Sequence, residues 1–401
     1  MALANTHTNY GSAARVFHWL TALLVLTLIP VAVIANELPY STSEELALKA
    51  FLFSLHKTLG IAVFFVALLR IIWAISQPKP TALHPERKVE TFMAETAHWL
   101  LYGSLVLAPL SGWVHHAATA GFAPIWWPFG QNLPLIAKST TVEAVTYGLH
   151  WVFGKVMAAT ILLHIAAALK HHIIDRDATL SRMLYHMPNL PKLTIIHHSA
   201  PPAIAAIAIW ATVLSGAAAF GLYAPHERTT QAAALEQVAS DWTVQDGSIG
   251  ITITQLGSTV EGSFADWTAE ISFDREVTSG SAGEVEVIIS IGSLTIGSVT
   301  DQAMGPDFFS ESTFPTATFS ADLITSADGN VADGTLTIRE QSVPVQMPFS
   351  LSVGDGVADV TADLTLDRRD FSIGDNMTDE GSLGFSVQVD IPLTATRGDG
   401  T

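Results

Sequence analysis

The chain has 401 residues, only 14% of them charged, with a mean hydropathy of +0.37 and a formal net charge of −18. That length allows two or three domains, and so apolar a composition points to a membrane rather than to a wholly soluble protein. Cysteine is absent, which excludes disulfides, thiolate nucleophiles, iron–sulfur clusters, zinc–thiolate sites and thioether attachment of a cofactor.

The charge is uneven. Residues 229–401 hold 5 Arg, no Lys and 27 Asp or Glu, a net of −22, which leaves a net of +4 for residues 1–228. An acidic, lysine-free region repels phosphates, so no nucleic-acid partner is expected. Met1–Ser12 is polar and lacks a basic run, so no cleavable signal is expected before the first apolar stretch.

Five stretches are long and apolar enough to cross a bilayer: Ala14–Ala35, Phe51–Ile75, Phe92–His116, Val142–His172 and Ala200–Tyr223. Basic residues set their orientation. Lys79, Arg87 and Lys88 follow the second span, and Lys170, Arg176, Arg182 and Lys192 follow the fourth. The loop after the first has Lys49 against Glu37, Glu44 and Glu45, and the loop after the third has Lys138 with Trp126, Trp127 and Phe129. The expected N-terminus is cytoplasmic, and five spans place everything after Tyr223 outside, in the periplasm of a Gram-negative cell. A polar linker follows, and then the texture changes. Short alternating runs at Ile249–Thr254, Glu284–Ile289, Gly334–Arg339 and Gly384–Ile391 are separated by Gly, Asp and Ser clusters, the pattern of an antiparallel β-barrel or sandwich.

Fifteen histidines are present, several of them within the spans. An ionisable group at membrane depth is a functional candidate. His150 and His164 share the fourth span. Fourteen residues return to within about 40° of one helix face and separate the two by about 21 Å, which fits two stacked cofactors. Depth pairs His56 with His150 near the outer surface and His18 with His164 near the inner one. Two imidazoles per iron leave no open coordination position, so such a haem carries electrons rather than binding oxygen. Gly60 and Gly154, each four residues after a histidine, would let a flat macrocycle approach. Arg15 and Arg70 either pair with haem propionates or snorkel to the surface. His98, in the third span, is read as structural or as part of a quinone pocket. His171 competes with His164 as a ligand, seven residues further on and nearly on the same face.

These residues resemble the bacterial cytochrome b561 family. The stretches that carry the likeness are R-V-F-H-W-L around His18, F-S-L-H-K-T-L-G-I around His56, A-H-W-L-L-Y around His98, and L-H-W-V-F-G with L-L-H-I-A-A-A-L-K-H-H around His150 and His164. The resemblance implies a four-helix domain of the inner membrane with two haem b groups that exchanges electrons with quinone. Through one kind of member it implies superoxide as a donor and ubiquinone as acceptor. The fifth span departs from the family pattern.

The C-terminal part resembles the YceI family through D-W-T-V near Trp242, V-E-G-S-F near Phe264, I-S-F-D near Phe273, D-F-F near Phe308, F-P-T-A-T-F near Phe319, G-T-L-T-I-R with V-P-V near Ile338, and L-D-R-R-D-F-S-I-G near Phe371. That likeness implies a lipocalin-like barrel holding a long isoprenoid chain, sometimes a quinone. Phe264, Phe273, Phe308, Phe309, Phe314, Phe319 and Phe371 either line its pocket or simply fill its core. No catalytic group stands out. The expected organisation is a multidomain membrane protein: a cytochrome b561-like di-haem bundle over 8–188, a fifth transmembrane helix over 199–224, a linker over 225–239 and a periplasmic YceI-like β-barrel over 240–398. The expected function is membrane electron transfer. The alternative is a membrane-anchored lipid carrier whose haem domain is an anchor or redox sensor.

Overall fold

The structure, a computed structural model, describes residues 2–119, 121, 123–187, 200–225, 235, 240–354 and 356–397. The linker read at 225–239 lies outside them apart from 225 and 235. The chain divides into two compact units, one helical and one β.

The main helices are α1 (Ser12–Glu37), α2 (Ser43–Ser76), α3 (Lys88–Ala118), α4 (Thr140–Lys170) running into a π turn (His171–Asp175), the short α5 (Ser181–Leu184) and α6 (Pro201–Ala219). Local signals set the helix starts. Thr42 and Glu45 form a reciprocal capping box before α2, 3.3 Å in each direction. Ser139 caps α4 by accepting from the Val142 amide, and two prolines open α6, where their missing N–H groups cost nothing.

Val25 and Leu28 of α1, Val63 and Ala67 of α2, and Leu105 of α3 form one buried cluster, closed by Met157 and Ile161 of α4. The outward faces are also apolar: Leu23, Leu26, Leu69, Ile72, Leu162 and Leu163 are all exposed. An apolar core inside an apolar surface suits lipid rather than water. Hydroxyls on these helices turn inward on their own backbone. Thr21, Ser104 and Thr160 donate to carbonyls four residues earlier, at 2.6 to 2.8 Å.

Among the described residues, four helical segments cross the threshold of length and apolarity for a membrane span: α1, α2, α4 with its π turn, and α6. α3 is as long, but it carries Lys88, Glu90, Glu95, His98, His115 and His116. The third expected span is thus a full helix whose composition alone does not mark it as a span.

In the β unit the strands are β1 (Trp242–Gly247), β2 (Ile249–Gln255), β3 (Ser258–Phe264), β4 (Trp267–Phe273), β5 (Gly280–Ser290), β6 (Leu294–Thr295), β7 (Thr316–Ser326), β8 (Gly329–Ile338), β9 (Gln341–Gly354), β10 (Val357–Asp367) and β11 (Ser386–Arg397). They form one antiparallel sheet in the order β4-β5-β7-β8-β9-β10-β11-β2-β3-β6, with β1 also on β11. The four alternating runs seen in the sequence fall on β2, β5, β8 and β11. Alternation decides the inner face: on β7, Ala317, Phe319, Ala321 and Leu323 are buried while Ser320 and Asp322 are exposed. Leu256 and Gly257 both have positive φ, the geometry of the tight hairpin joining β2 to β3.

The sheet curls on itself as the lipocalin-like expectation requires, but the seam is not a backbone ladder. The Ile271 amide donates to Ser240 Oγ (2.7 Å) and the Trp242 indole donates to the Phe273 carbonyl (3.2 Å), so Ser240 and Trp242, just before and at the start of β1, meet β4 through side chains.

Candidate functional site

The up-and-down order of α1 to α4 brings the four span histidines together two by two. His56 and His150 have ring centres 6.2 Å apart, and so do His18 and His164. A metal–imidazole bond is about 2.0 Å and the nitrogen lies roughly 1.1 Å from its ring centre, so two rings sharing one metal ion would stand roughly 6.2 Å apart. Both couples have the spacing of a bis-imidazole site. Beside them, a Cβ added at Gly60 or at Gly154 would meet nothing within 4 Å, so both glycines border open space. Paired imidazoles with open space alongside fit a haem.

The two couples are held differently. His56 Nδ1 lies 3.2 Å from the Leu28 carbonyl, and His150 Nδ1 lies 2.8 Å from the Ala108 carbonyl. A carbonyl can only accept, so each Nδ1 carries the proton and each Nε2 is left bare for a metal. In the other couple, His18 Nδ1 faces Arg70 Nη2 at 3.3 Å. A guanidinium can only donate, so this nitrogen accepts and the His18 proton sits on Nε2. Arg70 also lies over the Tyr102 ring, at 5.5 Å. Arg15 is buried on α1, three residues before His18.

His98 has a neighbour that its depth alone did not reveal: its ring centre is 5.3 Å from that of His164. Its Nδ1 donates to the Ala94 carbonyl at 2.7 Å. His171 is turned elsewhere, with Nδ1 2.6 Å from Asp177 and 3.1 Å from Asp175. Glu90, His171 and Asp175 bring metal-type ligand atoms close together. Lys170 and Arg87 already pair with those carboxylates, which makes the cluster an ion-pair network.

Sequence reasoning missed Gly112. A Cβ there would stand 2.8 Å from His150 Nδ1 and 2.9 Å from its Cε1. Gly112 is one helical turn beyond Ala108, so α3 supplies both the acceptor and the clearance for one imidazole. The signal was a glycine in mid-helix, a residue that weakens a helix unless it serves packing.

The β unit encloses a cavity of about 280 Å³. Six of the seven expected phenylalanines line it: Phe264, Phe273, Phe308, Phe309, Phe319 and Phe371. Phe314 does not; it is only half-buried and lies beneath the Arg339 guanidinium, 6.0 Å away. Arg368 was also missed. It is 4% exposed, and its five N–H groups donate to the carbonyls of Ile373, Gly374, Met377, Leu383 and Gly384. It therefore ties down the 373–384 segment. Burial pulls its pKa below the usual arginine value.

A family model described as prokaryotic cytochrome b561 matches residues 9–186, and one described as a YceI-like domain matches residues 242–395. Cytochrome b561 homolog 2 of Escherichia coli is 30% identical over 186 residues, which is 46% of this chain and 95% of that protein. Probable superoxide oxidase CybB of Yersinia pestis is 25% identical over 179 residues, 44% of this chain and 97% of that protein. Among solved structures, Burkholderia cenocepacia BcnA is 25% identical with a TM-score of 0.35, covering 37% of this chain and 96% of its own.

Proposed function

Because the chain belongs to the prokaryotic cytochrome b561 family and carries a YceI-like domain behind it, we propose that it is an electron-transfer protein of the inner membrane that holds two haem b groups and exchanges electrons with the quinone pool. The observation that carries this reading is the pair of imidazole couples, each with ring centres 6.2 Å apart. When bound, the two haems supply one-electron carriage across the bilayer. His56 and His150 offer bare Nε2 atoms held in place by two backbone carbonyls. His18 and His164 form the second ligand couple, and Arg15 and Arg70 are the cations for propionates on that side. Gly60 and Gly154 leave clearance for the macrocycles.

The basic loops after α2 and α4 favour a cytoplasmic N-terminus, with His18 and His164 at the inner level and His56 and His150 at the outer one. The β domain is then periplasmic. The relative named as a probable superoxide oxidase supports superoxide as the outer donor. Each superoxide would give up one electron and leave as dioxygen, and two electrons with two protons would reduce ubiquinone to its quinol. Redox-difference spectra of the purified chain test the first part: a b-type signal lost in the His150→Ala, His164→Ala double variant is expected. Turnover with superoxide and ubiquinone tests the second.

The cavity in the β unit favours a second role, binding of an isoprenoid lipid or quinone. A polyprenyl quinone that co-purifies with a chain lacking any b-type spectrum would favour the lipid carrier over the electron carrier.

A further inference from the structure

Arg182, on α5, is 5% exposed. Its Nη1 donates to the Thr81 carbonyl at 3.0 Å. Among the described residues, its Nε and Nη2 are buried without any hydrogen-bond partner. Asp177, the carboxylate whose field reaches it, is engaged by His171 and His84. A guanidinium stays charged in a protein, and a buried charge without a counter-charge is strongly unfavourable. Nε and Nη2 form one edge of the guanidinium plane, the edge that grips two oxygens of a carboxylate or phosphate side by side.

Two contacts bring α5 and the start of α1, which carries His18, together. The Trp19 indole, one residue past His18, donates to the Met183 carbonyl at 2.9 Å. The Arg182 guanidinium lies 5.7 Å from the Tyr10 ring centre. Tyr10 feels the charges of both Arg182 and Arg70, and Arg70 is the side chain that touches His18.

We propose that Arg182 is a receptor for an oxyanion, its Nε–Nη2 edge taking a carboxylate of the prosthetic group carried by His18 and His164 or the phosphate of a phospholipid at the same membrane surface. The carboxylate source rests on the function proposed above. Arg182 would then join Arg15 and Arg70 as a third cation around the two propionates of that haem.

The test is a potentiometric titration of the full chain, followed at the haem absorption bands, for wild type, Arg182→Gln and Arg182→Lys, with phospholipid phosphorus counted per chain after delipidation. Losing a cation beside a propionate favours the ferric state. For the carboxylate source, Arg182→Gln lowers the potential of one of the two transitions by about tenfold in its equilibrium, ~59 mV for a one-electron couple, leaves the other unmoved and leaves phosphorus unchanged. For the phosphate source, both potentials hold and about one tightly bound phospholipid is lost. Arg182→Lys keeps the charge but not the paired donors, so it gives a smaller change of the same kind, and it decides the matter if the glutamine variant does not accumulate. A variant that matches wild type in both potentials and in phosphorus overturns the receptor. A wild type without two b-type transitions instead contradicts the proposed function, and the phosphorus count then still tests Arg182.

Discussion

The two imidazole couples have the same spacing but different supports. His56 and His150 lean on the backbone, through the carbonyls of Leu28 and Ala108. His18 leans on a charged side chain, Arg70, and His164 has a third imidazole, His98, at its edge. Backbone acceptors fix one tautomer and leave Nε2 ready for metal, whereas a guanidinium donor fixes the opposite one. The first arrangement is preorganised. In the second, Arg70 would have to let go of His18 before Nε2 could bind a metal, and a propionate would be the natural partner for Arg70 once it had moved. The couple with fixed acceptors should fill first and resist exchange, and the couple with mobile cations should be the one whose potential responds to its surroundings.

The largest effect expected from a single change is at His150. His150→Ala should cost the chain one of its two haems and leave the other spectrum in place, read as haem per chain by the pyridine method. Loss of both would mean that the couples do not fill independently. Gly112→Ala should follow. Its new methyl crowds the His150 ring, and a disturbed supporting shell weakens metal affinity by about 10–100-fold. Haem titration into the apo chain should show that loss at one site alone. Arg368→Met sharpens the comparison from the other unit. It strips five carbonyls of their donor and should destabilise the β unit by roughly 3 kcal/mol or more, seen in chemical denaturation, with both haem signals unchanged.

Arg70→Gln should speed haem entry at the His18 couple and leave the rate at the other couple alone, as stopped-flow absorbance would show. His98→Gln should be milder still, altering the low-spin resonance of the His18 couple while both haems are retained. Acid should reveal the smallest effect. The Arg369 guanidinium beside Asp367 holds that carboxyl down to about 2. A depressed carboxylate contributes stability above its unfolded value, about 3.9, and loses it as pH falls through about 2. Because the pair is largely exposed, the loss should be slight, and Asp367→Asn should flatten it.

The four ligand candidates were legible because hydropathy sets depth and helical periodicity sets face, so His150 and His164 had to look the same way at two levels. Four of the strands, β2, β5, β8 and β11, were legible for the matching reason of period two, as β11 illustrates by alternating exposed and half-buried residues from Ser386 to Leu393. Other features depend on which neighbour stands opposite, and a single sequence does not state that. Gly112 matters only because His150 faces it. Arg368 stood in the sequence only as one letter of the stretch near Phe371, although it is among the most buried polar residues of the β unit. Phe314 matched its family stretch yet packs under Arg339 rather than on the cavity. α3 passed as a span by length, while its polar residues set it apart from α1, α2 and α4.

The central claim is that the two couples are two separate haem sites. Haem per chain, with its pyridine spectrum, before and after His164→Ala tests it most directly. The account predicts two b-type haems falling to one, with the redox transition of the His56 couple preserved. An unchanged haem count, or a wild-type chain that carries no haem, would contradict it.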